Sequence, residues 1–182
     1  MNRDDVMHYM VTEHLRNGSE VTIRAIRPED KRLLLAAFKE LDEDTVYTRF
    51  FAPKMEITDH ELKWATEIDF FRHVALVACI QESGQERIIG IGRYVAPTES
   101  DRPESAEVAF VVEEDYQGLG IASILLRHLV VIGRGHGISR FEAEVLPQNR
   151  AMLRVFGRAG LPVTTASSGR SVHVSIFLDR RS

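Results

Sequence analysis

A strand that runs into a helix through a glycine-containing turn constrains the fold of this chain more than any other feature. Residues 106–112 are small, β-branched or aromatic apart from Glu107, which predicts a buried strand. A helix follows from Gly118, and repeated glycine at residues 133–137 predicts its end. Its apolar face consists of Ile121, Ile124, Leu125, His128, Leu129 and Ile132 at helical spacing. The chain is therefore predicted to be an α/β protein.

The turn between this strand and helix has the composition of an anion-binding site. The first N–H groups of a helix lack partners and carry roughly half a positive charge, and glycine lets an anion approach the backbone. The turn consists of Gln117, Gly118, Leu119, Gly120, Ile121 and Ala122. It predicts a phosphate site, and the alternative is a tight turn without a ligand.

Two common nucleotide-binding motifs do not fit this turn. A Walker loop needs Lys and then Ser or Thr after its last glycine, but Ile121 and Ala122 follow Gly120. A Rossmann fingerprint needs three spaced glycines, usually near the start of a βαβ unit, whereas this turn has two and lies past mid-chain.

The turn instead resembles the acyl-CoA loop of the GNAT superfamily of N-acetyltransferases, Gln/Arg-x-x-Gly-x-Gly/Ala. Residues 117–122 match it position by position, and the strand at 140–145 and the helix led by Asn149 follow at the family's spacing. The resemblance implies an α+β GNAT fold. This fold has a mixed, mostly antiparallel twisted sheet of about seven strands and about four flanking helices, with the fourth and fifth strands splayed to hold acyl-CoA.

The N-terminal half extends this resemblance. Residues 15–30, Arg49-Phe-Phe51 and residues 89–94 are similar to the catalytic domain of bacterial Pat-type protein lysine acetyltransferases. This similarity implies transfer of acetyl from acetyl-CoA to a primary amine, most often a protein lysine, by direct attack in a ternary complex. A small-molecule amine acetyltransferase and a non-catalytic acyl-CoA sensor are the alternatives.

The resemblance also implies the residues that contact acetyl-CoA. They are Phe110, Val111, Val112, Gln117, Gly118, Leu119, Gly120, Ile121, Ala122, Asn149 and Phe156. A backbone N–H near Val112 would stabilise the oxyanion, and Asn149 would bond the pantetheine arm, the strand backbone or only its own helix. Phe156 departs from the family because many members carry there a tyrosine that protonates the CoA thiolate, and this departure motivates the sensor alternative.

Acetylation of a lysine needs a group that takes a proton, because only about one amine in a few thousand is neutral at pH 7. Glu107 is the first candidate for this base, since it interrupts an apolar strand and resembles the catalytic glutamate of several family members. We expect partial burial to raise its pKa. The alternative is a carboxylate in solvent or paired with Arg93. Glu113 and Glu114 are weaker candidates because they would repel a nearby pyrophosphate.

Composition limits the remaining function classes. A chain of 182 residues fits one domain, and its single cysteine, Cys79, lies in an apolar strand that favours a buried thiol over a nucleophile. Seven scattered histidines predict no metal site. A charge of −4 without a basic stripe argues against nucleic acid, and the absence of a long apolar run argues against a membrane span. We expect a cytoplasmic monomer or homodimer.

The remaining pattern predicts an N-terminal extension at residues 1–18, with an amphipathic helix or tether at 7–15, before a single domain at 19–182. The other expected elements are strands at 21–26, 74–80 and 87–95, helices at 28–41, 44–50 and 58–67, and a hairpin at 163–176.

Overall fold

The computed structural model of the chain describes residues 1–39, 57–99 and 103–179. The helix expected at residues 44–50 lies outside these ranges. The described strands are β1 (Met10–His14), β2 (Glu20–Ala25), β3 (His73–Glu82), β4 (Gln85–Val95), β5 (Ser105–Val112), β6 (Arg140–Val145), β7 (Val163–Ser167) and β8 (Val172–Phe177). The described α-helices are α1 (Arg3–Met7), α2 (Lys31–Lys39), α3 (Asp59–Thr66), α4 (Ile121–Gly135) and α5 (Arg150–Gly157).

The eight described strands form one sheet in the order β1-β2-β3-β4-β5-β6-β8-β7. Every neighbouring pair is antiparallel except β5 and β6, which are parallel because α4 connects them as a crossover. The structure therefore confirms the expected mixed, mostly antiparallel fold class. The described residues form eight strands instead of about seven, and five α-helices instead of about four.

The additional strand comes from the N-terminal segment, for which the expected helix or tether at residues 7–15 is wrong. β1 pairs with β2 from Met10 opposite Arg24 to His14 opposite Glu20. A tight turn joins them, in which the N–H of Gly18 donates to the carbonyl of Leu15. Exposed and half-buried residues alternate along β1, and a run this short fits helical and strand spacing equally well.

α4 packs closely on one face of the sheet because β4 carries glycine beneath it. A Cβ atom at Gly92 would lie 2.8 Å from the Phe110 ring, and one at Gly90 would lie 2.8 Å from Cγ2 of Ile121. The expected apolar face of α4 is buried in the resulting core. The orientation of α4, and hence of its N-terminus, follows from this contact.

The opposite face of the sheet is covered by α2, whose Leu33 and Leu34 pack against a second core cluster formed by Ile26, Ala75, Val77, Cys79 and Ile88. α3 packs against α2 on the same side. Thr58 caps α3 by accepting from the N–H of Glu61, as the capping-box spacing predicts. Cys79 lies in this cluster with 2% of its surface exposed, and burial raises the pKa of its thiol to about 12. The prediction of a buried thiol is confirmed.

A buried ion pair fixes the connection between β2 and α2. Arg24 is 1% exposed, and its two terminal nitrogens donate to the two carboxylate oxygens of Asp30, at 2.8 Å each. Nη2 of Arg24 also donates to Glu86, and Asp30 accepts from the N–H of Arg27. Loss of one partner would leave a buried charge without full compensation.

We expect Asp30→Asn to lower the free energy of unfolding by about 2 to 3 kcal/mol, because a buried guanidinium loses its bidentate carboxylate without a change in side-chain size. Urea denaturation measures this effect. The matched control is Glu29→Gln, which changes the same charge on an exposed neighbour and should cost less than about 0.5 kcal/mol. Equal stability of the two variants would contradict the assigned role of the ion pair.

Candidate active site

The separation of two parallel strands creates the main cleft. β5 and β6 pair only from Ser105 opposite Arg140 to Glu107 opposite Glu142. Beyond Glu107, β5 remains paired with β4 as far as Val112, so its other edge faces open space. The cleft has a volume of about 810 Å³ and lies between these strands, the start of α4 and α5. The expected splay is thus present. The fourth and fifth strands of the prediction, at residues 106–112 and 140–145, are β5 and β6 here because β1 is an additional strand.

The glycine turn forms one end of this cleft. Gly118 and Gly120 have φ angles of +78° and +95°, a region that glycine adopts without strain. The backbone N–H groups of residues 118–123 have no acceptor among the described residues. Together with the N-terminus of α4, these donors fit a phosphate group.

The predicted acetyl-CoA contacts line the cleft with one exception. Leu119 packs against the core instead, although its backbone carbonyl lies in the turn. Gln117 lines the cleft and braces the end of β5, because its side-chain nitrogen donates to the carbonyl of Val112 at 3.2 Å. The other predicted contacts that line it are Phe110, Val111, Val112, Gly118, Gly120, Ile121, Ala122, Asn149 and Phe156.

α5 contributes a polar and an apolar group to the cleft. The side-chain oxygen of Asn149 accepts from the N–H of Met152 at 3.1 Å, so Asn149 caps its own helix. Phe156 is 2% exposed and contacts the ring of Phe110, with 6.0 Å between centroids. Phe156 supplies an apolar wall and has no proton to donate.

Glu107 lies at the point where β5 and β6 separate, and it is exposed. The expected partial burial is therefore wrong. Ala106, Val108 and Phe110 point into the core beside α4, so Glu107 faces the other side of the sheet. Its carboxylate has no hydrogen bond or ion pair with any described residue. Glu107 is therefore a carboxylate in solvent and is not paired with Arg93.

Glu113 occupies a different environment from the one expected. Its side chain is 4% exposed and forms an ion pair with Arg87, and it lines a second cavity of about 180 Å³ on the α2 and α3 face. The sequence placed Glu113 beside the phosphate site because it precedes the turn. The alternation of β5 instead directs it, like Ala109 and Val111, to the opposite face.

Arg93 and Trp64, from separate elements, line this second cavity, and Arg93 also contacts His73. Arg93 donates to Nε2 of His73 at 3.3 Å, and its guanidinium lies 5.0 Å from the centroid of the Trp64 ring. Burial, and then the charge of Arg93, lower the pKa of His73 to about 4, so His73 is neutral and accepts. Trp64 is 49% exposed and forms part of the cavity wall.

The two cavities meet at β5, because Ala109, Phe110 and Val111 line both. One chemical group can therefore reach β5 from the side of α4 and another from the side of α2 and α3. This arrangement suits a reaction between two substrates without a covalent enzyme intermediate.

The cleft also contains a residue that the sequence analysis missed. Arg16, from the turn between β1 and β2, lines it beside Gly118. The sequence pattern predicts an extension at residues 1–18, and no motif marks Arg16. The hairpin pattern of residues 10–25 is the signal that would have placed it near the sheet.

In residues 1–39, 57–99 and 103–179, no group of three or more His, Cys, Asp or Glu side chains is arranged to hold a metal ion. Over the same ranges, no helix is long and apolar enough to cross a membrane.

Comparison with known proteins agrees with this geometry. The model of the Acetyltransferase (GNAT) family matches residues 35–161. Acetyltransferase PA5475 of Pseudomonas aeruginosa is 34% identical over 140 residues, which are 77% of this chain and 74% of that protein. Acetyltransferase Pat of Mycolicibacterium smegmatis is 34% identical over 146 residues, which are 80% of this chain but only 42% of that protein.

A solved structure extends the similarity to three dimensions. The GNAT domain of S. lividans PAT superposes with a TM-score of 0.83 at 32% identity, covering 91% of this chain and 95% of that chain.

We expect stability to fall as the pH is lowered from about 6.5 toward 4, because the folded state holds His73 neutral while the unfolded chain takes up a proton. His73→Gln keeps an acceptor for Arg93 and should reduce this slope by about 1 kcal/mol per pH unit. Urea denaturation at several pH values measures the slope. His60→Gln, at an exposed position, should leave the pH dependence of stability as in the wild type. An unchanged pH dependence in His73→Gln would contradict the conclusion that the folded state holds His73 neutral.

Proposed function

The chain belongs to the GNAT acetyltransferase family and is an acetyl-CoA-dependent acetyltransferase, and from this premise we propose that its acceptor is a lysine side chain of a protein. The meeting of the two cavities at β5 carries this proposal. The second cavity is small and mostly apolar, so it suits the four methylene groups of lysine. The exposed Trp64 at its wall gives the protein surface around that lysine a contact. The resemblance of residues 15–30 and 89–94 to Pat-type protein lysine acetyltransferases supports the same acceptor class, and one relative, from M. smegmatis, is named Acetyltransferase Pat.

On the donor side, we assign the pyrophosphate of acetyl-CoA to the free N–H groups of the glycine turn and the start of α4. The open edge of β5 from Phe110 to Val112 is the proposed contact of the pantetheine arm, since an unpaired strand edge binds extended amides. Asn149 and Phe156 complete the wall on the side of α5. Acetyl-CoA supplies the thioester carbonyl that an amine attacks.

In the proposed reaction the neutral amine attacks directly, with no acetylated enzyme. A carbon–nitrogen bond forms, the carbon–sulfur bond breaks, and one proton leaves the amine. We assign this proton to Glu107, which acts through a chain of water molecules because its carboxylate is exposed and lies five residues along β5 from Val112. A backbone N–H near Val112 is the proposed donor to the carbonyl oxygen. Phe156 provides no acid, so the CoA thiolate takes its proton from solvent.

Glu107→Gln should lower kcat/KM for acetyl transfer about 100-fold, because the amine loses its proton acceptor, while the Kd for acetyl-CoA stays the same. A free-thiol assay with a lysine-rich protein measures turnover, and calorimetry measures Kd. Glu104→Gln, at an exposed position just before β5, is the control and should keep full activity.

Unchanged turnover in Glu107→Gln would remove Glu107 from the mechanism. Binding of acetyl-CoA by the wild type without thiol release on any amine would favour the non-catalytic sensor.

Trp64→Ala should raise KM for a protein acceptor about 10-fold and leave the Kd for acetyl-CoA unchanged, because the acceptor loses an exposed aromatic contact. Phe71→Ala is the matched control, since Phe71 is 40% exposed but does not line the second cavity. Turnover with small free amines but not with lysine-bearing proteins would instead favour the metabolite alternative.

A further inference from the structure

Arg16 is attached to the glycine turn at two points. Its backbone N–H donates to the carbonyl of Leu119, and Nη1 of its side chain donates to the carbonyl of Gly118, both at 3.1 Å. Its Nε lies 3.5 Å from the position that a Cβ atom of Gly120 would occupy. The guanidinium therefore lies along the turn, on the wall of the cleft.

Most of the donors of this guanidinium remain unused. An arginine has five N–H donors, and only the bond from Nη1 to Gly118 is formed with a described residue. No described carboxylate pairs with Arg16, in contrast to Arg24 and Arg127, which are held by acidic side chains. Arg16 is thus a positioned cation next to the unpaired N–H groups of the turn.

A second set of contacts holds β1, the strand that precedes Arg16, against α4. Glu13 accepts from Arg127 at 2.6 Å and from Nε2 of His128 at 2.8 Å. Nδ1 of His128 accepts from the hydroxyl of Tyr9 at 2.6 Å. Because β1 and α4 are linked in this way, the position of Arg16 relative to the turn is fixed before any ligand binds.

We propose that Arg16 binds the pyrophosphate of acetyl-CoA together with the N–H groups of the glycine turn. A guanidinium matches phosphate oxygens in charge and geometry, and the free donors of Arg16 lie at the turn that is assigned to this group. The inference rests on the proposed pyrophosphate site. It adds a side chain that lies outside the residues matched by the family model, and it makes the N-terminal hairpin part of the cofactor site.

Calorimetric titration with CoA and with dephospho-CoA tests the proposal, because both ligands contain the pyrophosphate and only CoA carries the 3′-phosphate. Arg16→Gln should raise Kd about 10-fold or more, and by the same factor for both ligands, through loss of a charge-assisted hydrogen bond. Arg16→Lys keeps the charge and should recover part of the affinity. Arg170→Gln makes the same charge change at an exposed turn outside the cleft and should bind as the wild type does.

Three results would overturn the proposal. The first is an unchanged Kd in Arg16→Gln. The second is a loss of affinity for CoA but not for dephospho-CoA, which would assign Arg16 to the 3′-phosphate. The third is an equal loss of affinity in Arg16→Gln and Arg16→Lys together with a lowered Tm of the unliganded variants, which would indicate a structural role. If the wild type bound neither ligand, the proposed function itself would fail, independently of Arg16.

Discussion

The early separation of β5 from β6 is the constraint on which the site depends. β6 satisfies its backbone groups on one side by pairing with β8, and β5 does the same with β4, so both strands remain in the sheet while their facing edges diverge. The sheet loses some hydrogen bonds between β5 and β6 and gains an open strand edge inside the protein. Unpaired backbone donors and acceptors in such a place are costly unless water or a ligand pairs with them. The open edge of β5 is therefore suited to an extended ligand that pairs with its backbone.

The glycines of β4 connect this opening to the phosphate end of the cleft. Because Gly90 and Gly92 have no side chains, α4 lies close to the sheet, and a Cβ atom at either position would collide with its neighbours. This contact directs the N-terminus of α4 to the place where β5 ends. The partial charge of a helix N-terminus acts mainly within its first turn, so this placement decides whether it contributes to binding. Core packing and ligand binding thus depend on the same contacts of β4 and α4.

The sequence predicts the elements around the turn well, because local signals dominate there. The apolar strand, the glycine turn and the apolar face of α4 are each specified within a few residues. Properties that depend on distant chain segments were predicted less well. Residues 10–14 are a strand because β2 lies beside them, and the exposure of Glu107 depends on which helices cover its face of the sheet. Glu113 was assigned to the phosphate end from its proximity in sequence, although strand alternation places it on the other face.

The distribution of charge in the cleft matters more than the net charge of −4. Arg16 and the α4 N-terminus lie beside Gly118, after the end of β5, whereas Glu107 lies near its beginning. Val112 lies five residues along β5 from Glu107, a backbone distance of about 17 Å at 3.3 Å per residue. A ligand that is anionic at one end therefore finds Arg16 and the backbone donors at one end of the cleft, and the carboxylate proposed to accept the proton lies at the other end. A weakly acidic protein can therefore bind a highly anionic co-substrate, because Arg16 and the backbone donors act within a few ångströms and more distant charges are screened.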